Sequence, residues 1–264
     1  YFIAERLRLA CELQAHESVY KIQYEQPALN WIFAYLQQSP QYLHAPSVGL
    51  HYHYYCAVDC SRRGEGERGE AHFSAFRELL RSNAGRFAQA QQRSLYRMAI
   101  NYAVRRANTD GGEKYARWLW EFYREALQCG ALWQSTGEIS RFSYKNIVSL
   151  STRLGELDWA QAFIEQHSAH LPKIYRRTYR AYALGKWHFA QKQYSEALAA
   201  LRDVQEADDL FLALDVRVMQ AKIYYGLKEW ALMESFLMSF KTFVQRIKRL
   251  MGYHFENYKT IIRC

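Results

Sequence analysis

Proline is scarce, four residues in 264, and glycine numbers only 13. β-Hairpin turn signals are therefore rare, and long helices run without breakers. No apolar run approaches the roughly 20 residues needed to span a bilayer, and no charged-then-apolar leader opens the chain. The five cysteines, Cys11, Cys56, Cys60, Cys129 and Cys264, are odd in number and mostly scattered. A large helical chain has little need of disulfide staples, so they read as reduced thiols in a cytoplasmic protein. Catalytic signatures are missing too: there is no GxSxG elbow, no GxxxxGK[ST], no HExxH and no GxGxxG ahead of a helix. The glycines of GEGERGE stand among acidic side chains that repel phosphate, and the acid pairs Asp208-Asp209 and Glu65/Glu67 sit where loops or solvated faces are expected. No motif implies a cofactor, and the expectation is a protein that is not an enzyme.

What the chain does have is apolar bulk and positive charge. Half of it is hydrophobic and 16% aromatic, with 21 Tyr and 14 Phe, enough for a sizeable core. The net charge of +9 favours an anionic partner without choosing among nucleic acid, an acidic peptide and a membrane surface. The chain opens at Tyr1 and closes within an apparent helix, KTIIRC, so the expectation includes its being a segment of a longer protein.

One sentence is written three times: GELDWAQAFI from 155, KQYSEALAAL from 192 and KEWALMESFL from 228. Ala160, Ala197 and Met233 align, each followed four residues later by Ile164, Leu201 and Leu237. Twelve residues before each anchor stand Val148, Gly185 and Ala221, small or β-branched. Such a period indicates stacked helix pairs, because one antiparallel hairpin cannot bury both of its apolar faces and the next copy must cover it. Small residues let two helix backbones approach, and a bulky residue one turn on fills the groove beside them. Leu184-Gly185 precedes His188 and Ala221 precedes Tyr224, where a large ring belongs; Pro172 closes the first copy.

These residues resemble tetratricopeptide repeats, whose pattern is W-x2-L-G-x2-Y, then A-x3-F, then P. The resemblance covers 141–247 and is degenerate: Ala181 stands for the first Trp, and Pro172 is the only closing proline. Upstream, AHFSAFRELL (71–80), QQRSLYRMAINYAVRRA (91–107) and EKYARWLWEFYREALQCG (113–130) repeat apolar residues at three- and four-residue steps. On the last of these Tyr115, Leu119, Phe122 and Leu127 share one face, with Gly130 as a stop. Pro27, Pro40 and Pro46 bracket a further helix over 28–38, and SRRGEGERGE (61–70) reads as a polar connector. Much of the chain also resembles a group of uncharacterised bacterial helical-repeat proteins, which carry no known activity. The expected fold is all-α, one right-handed α-solenoid of stacked antiparallel pairs over 1–264: degenerate pairs over 1–140, three repeats over 141–247 and a C-terminal helix over 248–264.

The resemblance implies a concave groove lined by the first helix of each pair at its second, fifth, ninth and twelfth positions. Carried over, these are Phe142, Lys145, Ser149 and Thr152, then Tyr179, Tyr182, Lys186 and Phe189, then Asp215, Val218, Lys222 and Tyr225. Lysines among aromatic rings suit an extended peptide, holding its carboxylates while the rings take its apolar side chains; the alternative is that some rings pack against the next repeat. Repeats that clamp chaperone C-terminal carboxylates carry Lys and Asn, then Asn, then Lys and Arg. Lys145 fits, but Ser149 and Ala183 replace the asparagines, and Asp215 and Met219 replace the basic pair. This chain departs from that clamp.

Two other readings compete. Arg62-Arg63, Arg105 with Arg106, Arg176 with Arg177 and Arg180, and Arg246 with Lys248 and Arg249 form four basic clusters, suited to nucleic-acid phosphates or to solvated helix ends. His53, Cys56 and Cys60 share a helix face with metal-ligand chemistry, yet no second CxxC or HxxxH completes a zinc set, and a thiol on a helix face usually packs as a small hydrophobe. The leading expectation is a non-catalytic scaffold or adaptor that captures a protein or peptide partner in its groove. A nucleic-acid-binding basic solenoid is the alternative.

Overall fold

A computed structural model describes residues 1–109, 112–204 and 209–251, with the side chains of 248–251 outside the description. Among these residues the chain forms twelve α-helices and short 3-10 turns, with one isolated antiparallel bridge between Trp133 and Ile139. No helix among them is long and apolar enough to cross a membrane. The helices gather into two compact units, Tyr1–Ala131 and Leu132 onward.

The first unit holds α1 (Phe2–Tyr20), α2 (Pro27–Gln38), α3 (Pro46–Arg62), α4 (Gly66–Asn83), α5 (Gln89–Thr109) and α6 (Glu113–Gln128). Proline starts α2 and α3, where its missing N–H costs nothing and its fixed φ suits the first turn. Leu7, Ala10, Leu29, Ile32, Leu36 and Val48 make a core of α1, α2 and α3. Phe73 of α4 stacks on Tyr102 of α5 at 3.9 Å and meets Phe122 of α6 edge-on at 5.9 Å. Ion pairs fasten the α4 surface to α6: Arg77 to Glu121 at 2.7 Å, and Arg81 to Glu125 at 2.7 Å.

The second unit holds α7 (Arg141–Arg153), α8 (Leu157–His167), α9 (Arg176–Ala190), α10 (Tyr194–Leu201), α11 (Leu210–Leu227) and α12 (Trp230–Met251). Each helix packs on the next, and α7 also meets α9, as α9 meets α11. Pro172 lies between two short 3-10 turns, Ser168–His170 and Lys173–Tyr175, that link α8 to α9.

The repeat has a structural signature at its turns. Gly155, Lys192 and Lys228, the first residues of the three written copies, all adopt left-handed backbone, at φ 78°, 62° and 59°. In each, the next N–H closes the helix end by bonding back five residues: Glu156 to Ser151 at 2.9 Å, Gln193 to His188 at 3.0 Å, and Glu229 to Tyr224 at 3.0 Å. The same turn joins α3 to α4, where Gly64 has φ 78° and Glu65 N–H bonds to Cys60 O at 2.9 Å. Its small residue five positions on is Gly69, with Phe73 four further, the spacing of Ala197 and Leu201. So α3 and α4 share the turn and spacing of the written copies, and the polar stretch read as a connector over 61–70 is mostly helix. The chain turns at 63–65, and Gly69 belongs to the helix crossing rather than to a loop.

The helices approach closely at a glycine in both hairpins, more tightly at Gly185 than at Gly69. A Cβ on Gly185 would stand 2.7 Å from Leu201 Cδ2 and 2.8 Å from its Cγ; one on Gly69 would stand 3.1 Å from Ala57 O and 3.2 Å from Cys60 Cβ.

Two substitutions probe this geometry in opposite directions. Gly185→Val is expected to destabilise by about 2–3 kcal/mol, since Leu201 is buried and cannot yield. Lys192→Gly is expected to stabilise by up to about 1 kcal/mol, by removing a side chain from left-handed backbone. Urea unfolding of the two variants beside the parent chain reads both.

Candidate functional site

Helices α7, α9 and α11 bring three lysines to one place. Lys145 Nζ lies 2.5 Å from Asp215 Oδ2, an ion pair between α7 and α11 with both side chains partly covered. Lys186 of α9 is half-buried between them. Burial lowers its pKa, and the Lys222 and Lys145 charges lower it further against the pull of Asp215. Lys222 stands exposed one turn before Tyr225, which is 64% exposed and meets Trp230 edge-on at 5.5 Å. One carboxylate, Asp215, thus pairs with Lys145 and also acts on Lys186.

A second polar centre ties the helix starts together. Asp209 caps α11 by accepting from the N–H groups of Phe211 and Leu212 at 3.0 and 3.1 Å. Its other oxygen accepts from the Tyr179 hydroxyl of α9 at 2.6 Å and lies 3.7 Å from Arg141 Nε of α7. Burial pushes this carboxyl's pKa up, yet the hydrogen bonds from Tyr179 and Leu212 and the charges of Arg141 and Lys145 hold it below the ordinary value. Asp209 was expected at a solvated loop; the apolar run after it, LFLAL, marks a helix N-terminus and carried the signal for the cap. Asp208 lies outside the described residues.

The remaining groove candidates divide by burial. Phe142 is 58% exposed, with the Arg141 guanidinium 4.7 Å from its ring. Tyr179 and Tyr182 are fully buried, so their rings hold helices together instead of meeting a partner. Ser149 is half-buried, its Oγ 3.4 Å from the Tyr182 hydroxyl. Thr152 is buried and spends its hydroxyl on Val148 O at 2.8 Å. Phe189 is half-buried against Tyr194, with ring centroids 5.9 Å apart. Val218 packs toward Phe240 and Val244 of α12. Of the groove's charged positions Lys222 is exposed and Lys145, Lys186 and Asp215 are half-buried, and most of its apolar positions are packed.

The arginine clusters are largely engaged within the chain. Arg62 pairs with Glu17 at 2.8 Å and Arg63 with Asp59 at 2.9 Å. Arg105 donates to Ser18 Oγ at 3.2 Å, and Arg106 to the Tyr115 hydroxyl at 3.1 Å. Arg176 donates to Leu171 O at 2.7 Å, and Arg177 pairs with Asp203 at 2.7 Å. Arg180 and Arg246 are exposed, and the side chains of Lys248 and Arg249 lie outside the description.

In the first unit, a cleft of about 300 Å³ is lined by Phe33, Tyr52, Tyr55, Cys56, Cys60 and His72, with Asp59, Arg63, Glu65 and Arg68 among its polar groups. His53 turns to another partner: its Nδ1 lies 3.0 Å from His72 Nδ1 of α4, so one ring donates and the other accepts. This contact joins residues on different helices, and nothing in the local spacing announces it. Burial drives the Cys56 thiol up to about 12, despite the Tyr52 hydrogen bond, and raises Cys60 as well. Among the described residues no group of three or more His, Cys, Asp and Glu side chains is placed to hold a metal ion. Cys11, Cys56, Cys60 and Cys129 are free, and Cys264 lies outside the described residues.

The chain matches no family model, no curated protein and no solved structure.

The histidine pair makes stability pH-dependent. Burial and the neighbouring His72 bring His53 from an ordinary 6.5 down to about 4, and burial with Arg68 lowers His72. The folded state therefore favours neutral rings. Their contribution is complete above pH 6.5 and is lost as pH falls toward 4. Unfolding at pH 7.5 and 4.5 is expected to show the His53→Gln, His72→Gln double variant losing less stability on acidification than the parent, by on the order of 1 kcal/mol. Equal losses would remove the pair from the account.

Proposed function

We propose that this protein is a non-catalytic scaffold or adaptor, and that the face of α7, α9 and α11 captures an anionic segment of a protein partner. The observation carrying the reading is the Lys145–Asp215 ion pair between α7 and α11, with Lys186 of α9 under the charges of Asp215, Lys222 and Lys145. In this reading the second unit is a tetratricopeptide-like stack, supported by its recurring left-handed turns and by the packing of α7 on α9 and α9 on α11. Within the first unit, the hairpin α3–α4 has the same left-handed turn. Binding makes and breaks no covalent bond: it exchanges water on the lysines for the partner's acidic groups, while exposed Tyr225 and Phe142 offer apolar contact nearby. The working compartment we infer is the cytoplasm, consistent with the free thiols.

A nucleic-acid partner has weaker support. Phosphate contacts need available cations along a track, and six of the arginines in the basic clusters are committed to groups of this chain.

Affinity capture from lysate, with and without nuclease, separates the readings when the parent chain is run beside a Lys222→Glu, Tyr225→Ala variant. Both positions are exposed, so the fold is expected to be unchanged. The expected result is a partner that survives nuclease and falls at least about tenfold in the variant, as loss of a charge contact and an aromatic contact predicts. Retention by the variant would sink the groove reading, and loss on nuclease treatment would favour nucleic acid.

A further inference from the structure

We propose that the cleft between α2, α3 and α4 binds a free aromatic amino acid, with its ring among Phe33, Tyr52 and Tyr55 and its two charged ends on the ion pairs beside them. This site lies wholly within the first unit and is independent of the face of α7, α9 and α11.

The aromatic part is built from two helices. The Phe33 ring of α2 lies 5.3 Å from Tyr52 and 5.3 Å from Tyr55 of α3, tilted at 48° and 43°. Tyr52 in turn meets His72 of α4 edge-on at 6.0 Å. All four rings line one cleft of about 300 Å³, a size within the range of small-ligand sites. Rings tilted at these separations offer both edges and faces, and a further ring can join them in the same geometries.

The charged part is one turn along. On α3, Asp59 follows Tyr55 by four residues, a rise of roughly 6 Å, which matches the reach from an aromatic amino acid's ring to its charged end. Asp59 pairs with Arg63 at 2.9 Å and Glu65 with Arg68 at 3.3 Å, and all four line the cleft. The two arginine side chains are 66% and 71% exposed. Exposed pairs of this kind contribute at most about 1 kcal/mol. An entering carboxylate can therefore take over an arginine, and an entering ammonium an acid, at little cost.

The balance of signs selects the ligand. The four charged side chains are two of each sign, and burial with the Arg68 charge favours a neutral His72. A simple anion meets Asp59 and Glu65 as well as the arginines, and a simple cation meets Arg63 and Arg68 as well as the acids. A zwitterion finds an opposite charge for each of its ends.

The test is titration calorimetry of the whole chain with L-phenylalanine, L-tyrosine and L-tryptophan, beside 3-phenylpropionate, phenethylamine and L-alanine. The expected result is saturable binding of at least one of the three aromatic amino acids. Its affinity is expected to exceed that of the other three compounds by at least about tenfold, since each of them lacks one charge or the ring. The Arg63→Gln, Arg68→Gln variant changes two exposed side chains. It is expected to keep the parent's helical circular-dichroism spectrum and to lose at least about tenfold in affinity. No saturable binding by the folded parent chain, equal binding of 3-phenylpropionate or phenethylamine, or a folded arginine variant that binds as the parent does would overturn the proposal.

Discussion

The close crossing of two helices over a residue with little or no side chain is the constraint from which the rest of this architecture follows. At Gly185 the α9 backbone comes so near Leu201 that a single added carbon would overlap it. At Gly69 the α4 backbone approaches Ala57 O closely but with slightly more room, an added Cβ standing 3.1 Å away. A crossing this tight needs a tight reversal, and each of these hairpins has one: a left-handed residue and a hydrogen bond spanning five residues. Once the reversal and crossing are set, the apolar face left on each hairpin must be covered. In the second unit the neighbouring hairpin does this.

That packing determines what is left for binding. Aromatic residues at the helix crossings, Tyr144, Tyr179 and Tyr182 among them, are consumed by the core. Their hydroxyls find polar partners at Ser168 and Asp209 or lie near Ser149. Lysine behaves differently, because its long stem packs against apolar neighbours while its ammonium stays wet. Lys145 and Lys186 satisfy the core with methylenes and still present charge at the surface of α7 and α9. One set of positions thus serves stability and recognition together, through different atoms of the same side chains.

Legibility from the sequence followed this division. The period could be read because the crossing demands small residues at fixed intervals, so Ala160, Ala197 and Gly185 carry it openly. The hairpin α3–α4 obeys the same rule but hid behind GEGERGE, whose polarity and glycines mimic a loop; only the structure shows Gly69 inside a helix. Lys145, Lys186 and Lys222 were named by carrying over the tetratricopeptide register, position by position along each helix. The fates of Tyr182 and Val218 were not local: each depends on a neighbouring helix that covers one position and leaves the next open. The His53–His72 contact, between side chains of α3 and α4, likewise exists only once the chain has folded.

The central claim is that α7 and α11 face one another across α9 and share one charged surface. A double-mutant cycle on Lys145→Ala and Asp215→Ala, read by urea unfolding, addresses it most directly. A partly covered pair at 2.5 Å predicts a coupling free energy on the order of 1 kcal/mol, weakened but not abolished by salt. Strictly additive losses would mean that the two helices do not meet as described, and the lysine cluster would lose its foundation.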